Sequence, residues 1–269
     1  MVAAASPLLL EESHGDGVVQ LTLNRPAALN AFSEALYYAT AAALRRHNDL
    51  ASTRILVLTG AGTRTFCAGM DIKEVCSRAQ AQLTVRAARA FMDALLECSK
   101  PVVAAVFGAV TGIGVTLLMH CDAVFAASDA TFETPFSAIG IVPEFGSSLT
   151  FPLLLGLQLT SDLLMRGVRV GVGELERVGA LKVVASQERD VVVRRAVDEA
   201  LDWSRRNPSV EEWRGVLEAK RLVKEQVIKD TSQAIDKEMK AIYERVDDGT
   251  ASKLMRKRVA ELGRRTSKL

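Results

Sequence analysis

Two uninterrupted apolar runs each end in a cluster of glycines, and that pairing most limits what the chain can become. RILVLTG (54–60) runs into GAGTRTFCAGMD, and KPVVAAVFGAV (100–110) runs into TGIGVTLL. A strand that is apolar at every position has no face for water, so it belongs in a parallel sheet covered on both sides. Around these runs the pattern alternates. LLLEESHGDGVVQLTLNRP (8–26) reads as two strands joined by a Gly-Asp-Gly turn, ended by Pro26. SEALYYATAAALRRHNDL (33–50) has helical spacing with Ser33 as N-cap, and a mainly helical region extends to about Ser99. AVFAAS and TFETP are short strands; from about Phe151 the pattern is mostly helical, and after Asn207 it is long, charged and amphipathic. Strand–helix alternation followed by helices predicts an α/β fold, with residues 1–200 as core and 201–269 as a C-terminal helical region and tail.

The 269 residues carry 34 basic and 32 acidic side chains, a balance that offers no basic surface for nucleic acid. No apolar run approaches the roughly 20 residues of a membrane span. The start, MVAAASPLLLEESHG, lacks the basic n-region of a signal peptide. Cys67, Cys76, Cys98 and Cys121 show no C-x-x-C or zinc-ligand spacing, so free thiols in a reducing compartment are expected. Ser267-Lys268-Leu269 form the S-K-L tripeptide read by the peroxisomal import receptor; a frayed basic tail is the alternative.

Neither glycine cluster is a nucleotide loop. The first lacks the Gly-Lys-Ser/Thr of a Walker motif. The second has Leu117 at the third glycine of a dinucleotide fingerprint and no acidic residue at ribose spacing. Each alone is an ordinary tight turn. Together they put two backbone N–H groups at helix starts, where amides lack partners and the dipole is positive. If the two converge, they form an oxyanion hole for a thioester or ester carbonyl.

TGAGTRTFCAGMDIKE (59–74), KPVVAAVFGAVTGIGVTLLMHCD (100–122) and ATFETPFSAIGIVPEFGSS (130–148) resemble, in order and spacing, signature segments of the enoyl-CoA hydratase/isomerase (crotonase) superfamily. LTLNRPAALNAF (21–32) resembles its N-terminal segment, so the likeness covers about residues 10–190. It implies a spiral of repeated ββα units with a C-terminal helical region, assembly as a homotrimer, and an acyl-CoA substrate whose coenzyme A serves as handle, with no metal or redox cofactor. The oxyanion amides fall on Met70 and Ile113, in place of a small residue and a glycine; Ile113 narrows the acyl pocket. Ala68, Gly69, Asp71 and Ile72 line the thioester channel; Gly112 flanks Ile113, and Arg25 and Ala28 are coenzyme A contacts.

Hydratases of the family resemble one another in two glutamates, whose positions here are Thr116 and Phe136. Water addition needs carboxylates at both, so ordinary hydratase activity is not expected. Glu144, eight residues after Phe136, matches the lone glutamate of the peroxisomal Δ3,Δ2-enoyl-CoA isomerases, which share TPFS, the PE-G-SS pattern and a terminal S-K-L. The implied activity is isomerisation of 3-enoyl-CoA to trans-2-enoyl-CoA in fatty-acid β-oxidation, in a peroxisome or glycosome. Burial among Ile141, Val142, Pro143 and Phe145 predicts a raised pKa for this base, and Phe136 a pocket that excludes water. Taken without that resemblance, a lone loop glutamate is a solvated residue. Acyl-CoA hydrolysis, another reaction on the same oxyanion hole, or a non-catalytic acyl-CoA-binding subunit are the alternatives. His14, His47, His120 and Cys67 read as packing or surface residues, Asp71 as a loop residue, and KAIYERVDDGTASKLMRKRVAELGRR (240–265) as a solvated packing helix.

Overall fold

A computed structural model describes residues 6–75 and 77–266, with the side chains of 263, 265 and 266 left aside. Cys76 and Ser267-Lys268-Leu269 lie outside the described residues, as do residues 1–5 of the N-terminal stretch. In chain order the elements are β1 (Leu9–Gly15), β2 (Val18–Leu23), α1 (Glu34–Asp49), β3 (Ile55–Gly60), α2 (Arg78–Leu96), β4 (Val102–Val106), β5 (Ala109–Thr111), α3 (Ile113–Thr116), β6 (Ala123–Ala127) and β7 (Thr131–Glu133). They continue with α4 (Ser147–Thr160), β8 (Val170–Gly171), α5 (Val172–Arg177), β9 (Lys182–Val184), α6 (Arg189–Arg205), α7 (Val210–Asp247) and α8 (Thr250–Thr266).

The strands form a six-stranded sheet, β1-β2-β3-β4-β6-β9, and a three-stranded sheet, β5-β7-β8. From β2 onward the large sheet is parallel, and β3 and β4 are buried at every residue, as continuous apolar runs require. Successive strands are dealt alternately to the two sheets: β4 goes to the large one and β5 to the small, then β6 and β7 likewise. This alternation realises the expected ββα spiral, with helices α7 and α8 following it. Ser33 caps α1 as anticipated, its Oγ accepting from Leu36 N at 3.1 Å.

Three local readings change. KPVVAAVFGAV is not one strand: the chain turns at Gly108 (φ 68°) and divides into β4 and β5. A Cβ there would stand 2.0 Å from Arg64 O, so only glycine fits. The C-terminal part also holds β8 and β9, two- and three-residue strands too short to show a period. Lastly, Ser147–Met165 is, by length and composition, a helical stretch apolar enough to cross a membrane. Pro152 and a kink at Gly156 (φ 78°, ψ 161°) interrupt it, which hid it as a continuous run. Its Ser147, Thr150, Phe151 and Leu155 are buried, and the helix packs on α7.

Candidate active site

The two glycine clusters meet backbone to backbone. Thr111 N donates to Cys67 O at 3.1 Å, and Gly112 N to Glu133 O at 2.9 Å. A Cβ on Gly69 (φ 88°) would lie 3.0 Å from Thr111 O, and one on Gly112 (φ 56°) 3.7 Å from the Gly69 Cα. Bare main chain on both sides is what permits the approach. Ile113 is the first residue of α3, so its N–H has no intrahelical acceptor. Met70 differs from expectation: it does not start a helix but sits in a parallel bridge with Phe32. Phe32 N donates to Gly69 O and Asp71 N to Phe32 O, both at 2.8 Å. That pattern consumes the groups flanking Met70 and leaves its own N–H facing away from Phe32. Sequence missed this because the pairing joins residues far apart in the chain.

Glu144 stands in the loop before α4 and is 7% exposed. With Met70 it lines an apolar cavity completed by Val85 and Met92 of α2, Met239 of α7 and Met255 of α8. Burial, and secondarily the charge of Glu238, push its pKa up to about 8. The buried positions Thr116 and Phe136 supply no second carboxylate; Thr116 Oγ1 only reaches Ile113 O at 3.5 Å. Phe136 and Ile113 are buried but do not line this cavity among the described residues. Gly69 and Gly112 are buried, whereas Ala68, Ile72 and Ala28 are half-buried, Ala68 N donating to Leu29 O at 3.0 Å.

Arg25 is committed to the protein: it donates to Ala31 O at 2.6 Å and pairs with Asp71 at 3.0 Å and Glu74 at 3.2 Å. Asp71 also accepts from Lys73 N at 3.2 Å, a loop-bracing role as expected. Arg25, Glu74 and Gln80 border a separate open groove with Ser33 and Tyr38. Cys67 is a buried thiol pushed up to about 12, chiefly by burial, so it is not a ready thiolate. His14 contacts Gln20, and His47 contacts Thr53 and Glu11, away from this cavity. His120 is closer: its Nε2 lies 2.8 Å from Phe145 O and its ring stacks on Phe145 at 4.3 Å. Accepting a hydrogen bond is all a carbonyl can do, so Nε2 carries the proton. Burial lowers the His120 pKa to about 4 and keeps the ring neutral.

Two contributions escaped the sequence reading. The α7 and α8 residues that close the cavity are one: Met239 lies in the stretch read only as long, charged and amphipathic, and Ile242, Val246 and Met255 in the segment read as a solvated packing helix. Glu238 is the other: 5% exposed, it accepts from Gly146 N at 2.7 Å and Ser148 N at 2.8 Å. A signal existed, since Glu238 interrupts the buried α7 stripe of Ile235, Met239, Ile242 and Val246.

A family model described as enoyl-CoA hydratase/isomerase matches residues 13–254. A probable enoyl-CoA hydratase of Rhodobacter capsulatus is 32% identical over 62% of this chain and 64% of its own length. Enoyl-CoA delta isomerase 3, peroxisomal, of Mus musculus is 34% identical over 59% of this chain and 51% of its own. The chain thus spans about half to two thirds of these relatives. The crystal structure of an enoyl-CoA hydratase/isomerase from Pseudoalteromonas atlantica superposes with a TM-score of 0.82 at 31% identity, covering 96% of this chain and 98% of that one.

Proposed function

Since the chain belongs to the enoyl-CoA hydratase/isomerase family, we propose that it is a Δ3,Δ2-enoyl-CoA isomerase that moves its proton with Glu144 alone. The observation that carries this is that, among the described residues, Glu144 is the one carboxylate lining the apolar cavity beside Met70, with Thr116 and Phe136 at the two positions a hydratase fills with glutamates. Ionised Glu144 removes a proton from C2 of a 3-enoyl thioester. The electron pair delocalises into the thioester, giving a dienolate whose oxygen is held by the N–H groups of Met70 and Ile113. The protonated Glu144 then delivers the same proton to C4, and the double bond re-forms between C2 and C3 as the carbonyl is restored. One group suffices because it is base in one half and acid in the other. A pKa of about 8 suits both duties near neutrality. The reaction needs no metal or redox cofactor. In this reading Ala68, Gly69, Asp71, Ile72, Gly112 and Ala28 flank the thioester and coenzyme A path, Arg25 braces Asp71 beside it, and Phe136 acts by withholding a second carboxylate.

The test follows 3-hexenoyl-CoA and a longer 3-enoyl-CoA to the conjugated product by absorbance. Glu144→Gln should abolish isomerisation while sparing acyl-CoA binding. A fully active variant, or wild-type protein that hydrates 2-enoyl-CoA but leaves 3-enoyl-CoA unchanged, defeats the assignment. Thiol release from saturated acyl-CoA would favour a hydrolase instead. A peroxisome-type compartment goes with this reading, supported by the likeness to the mouse peroxisomal isomerase and checked by microscopy of the full chain. Assembly as a homotrimer is checked by light scattering.

A further inference from the structure

The peptide plane between Phe145 and Gly146, one residue past Glu144, is gripped from both sides. Its carbonyl, Phe145 O, accepts from His120 Nε2 at 2.8 Å, and its N–H, Gly146 N, donates to Glu238 Oε2 at 2.7 Å. The other oxygen of Glu238 accepts Ser148 N at 2.8 Å. Both residues of the plane have positive φ, 59° at Phe145 and 70° at Gly146. For phenylalanine that conformation costs about 1–2 kcal/mol, so the loop relaxes unless something holds it, and relaxation re-aims the neighbouring side chain. Glu238 does not line the cavity among the described residues, so it has no place at the reacting carbons.

We propose that Glu238 is a positioning residue for Glu144: from α7 it fixes, with His120, the peptide plane that aims the base, and sets a second carboxylate behind it. This rests on Glu144 being the base. The titratable groups around Glu144 are Tyr37 of α1, Cys67 of the loop after β3, His120 after α3 and Glu238 of α7. Helices α2 and α8 present apolar side chains such as Val85, Met92 and Met255. Burial holds the Tyr37 hydroxyl well above its usual range, Cys67 near 12 and His120 near 4. Between those limits all three are neutral. Burial raises the Glu238 pKa as well, while the N–H groups of Ser148 and Gly146 favour its ionised form, and its charge is the one Glu144 feels.

Two variants of the full chain separate the two effects. Glu238→Gln keeps the length and drops the charge, and its amide nitrogen faces an N–H donor. Its acid limb of kcat/KM should move to lower pH, and kcat should fall by about tenfold, since misplacement near 1 Å costs up to ~10²-fold. Glu238→Asp keeps the charge but withdraws it by one methylene; its limb should stay while kcat falls. KM should change less than about threefold in both, because neither touches the acyl-CoA. A merely structural role would lower the melting temperature and leave the limb of the folded protein in place. An unmoved limb in Glu238→Gln overturns the proposal, as does an unchanged kcat in Glu238→Asp should the first variant not fold. Activity surviving in Glu144→Gln would instead strike at the base assignment, so the two failures are told apart.

Discussion

Glu144 should make the native protein less stable as pH rises, and Glu144→Gln should remove that loss. A carboxyl whose folded pKa lies above its unfolded one is preferred by the fold in its protonated form. Its favourable contribution is full below the unfolded value and is lost as pH rises through the folded one. Here the window runs from 4.5 to about 8. At 1.36 kcal/mol per unit, the accumulated cost reaches about 3 kcal/mol at pH 7 and levels near 5 kcal/mol above pH 8. A glutamine has no such term, and every other titrating group is common to both chains. The difference in unfolding free energy between variant and wild type therefore isolates Glu144, including its coupling to Glu238. Urea unfolding at pH 5, 7 and 9, followed by Trp203 and Trp213 fluorescence, reads it directly. The variant should gain on wild type at each step, most between pH 5 and 7. A gap that stays flat with pH would refute the view that Glu144 is held in an apolar site, whatever the variant does to activity.

The catalytic pH profile should mirror this: with a pKa of about 8, kcat/KM rises about tenfold from pH 7 to 9 as the base ionises, checked by steady-state rates on 3-hexenoyl-CoA. Gly69→Ala forces a side chain onto φ 88° and toward Thr111 O; it should cost about 1–2 kcal/mol in unfolding free energy and, by shifting the Met70 amide, about 10²–10³ in kcat. Asp122, with a side chain 9% exposed, sits between Lys220 at 2.8 Å and Lys224 at 2.7 Å and accepts from Val102 N. Asp122→Ala leaves those lysines without their acid and should destabilise by about 3–5 kcal/mol in urea, with KM little changed.

What the sequence disclosed follows the range of the interactions involved. Glu144, Thr116 and Phe136 were placed by motif spacing, and the buried strands β3 and β4 by unbroken apolar composition. Ser33 and the Gly-Asp-Gly turn were legible because capping and turn chemistry act within a few residues. Met70 was expected at a helix start and sits in a bridge instead, since its pairing with Phe32 spans 38 positions and leaves no local trace. The cavity wall from α7 and α8 was hidden for the same reason. A helix with charges at regular spacing looks solvated until one knows which face a distant loop covers. Glu238 was readable in part, as a carboxylate inside an apolar stripe, but its partners Gly146 and Ser148 lie about ninety residues away.

Phe145 shows how the fold sustains an unfavourable loop. Glycine is the residue suited to its φ of 59°, and glycine would leave the loop free to move. Phenylalanine accepts the strain of about 1–2 kcal/mol but is fully buried, stacked on His120 and edge-on to Phe91 at 5.8 Å. Burying such a ring stabilises by about 1.5–3 kcal/mol, enough to offset the strain. The same ring anchors the loop to α2 and to His120, while its peptide plane is held by Glu238. A strained backbone persists where its surroundings over-determine it, and here the surroundings do so from α2, the turn after α3 and α7 at once. Glu144 can therefore be kept in an apolar site with one aim, which a solvated loop would not give it.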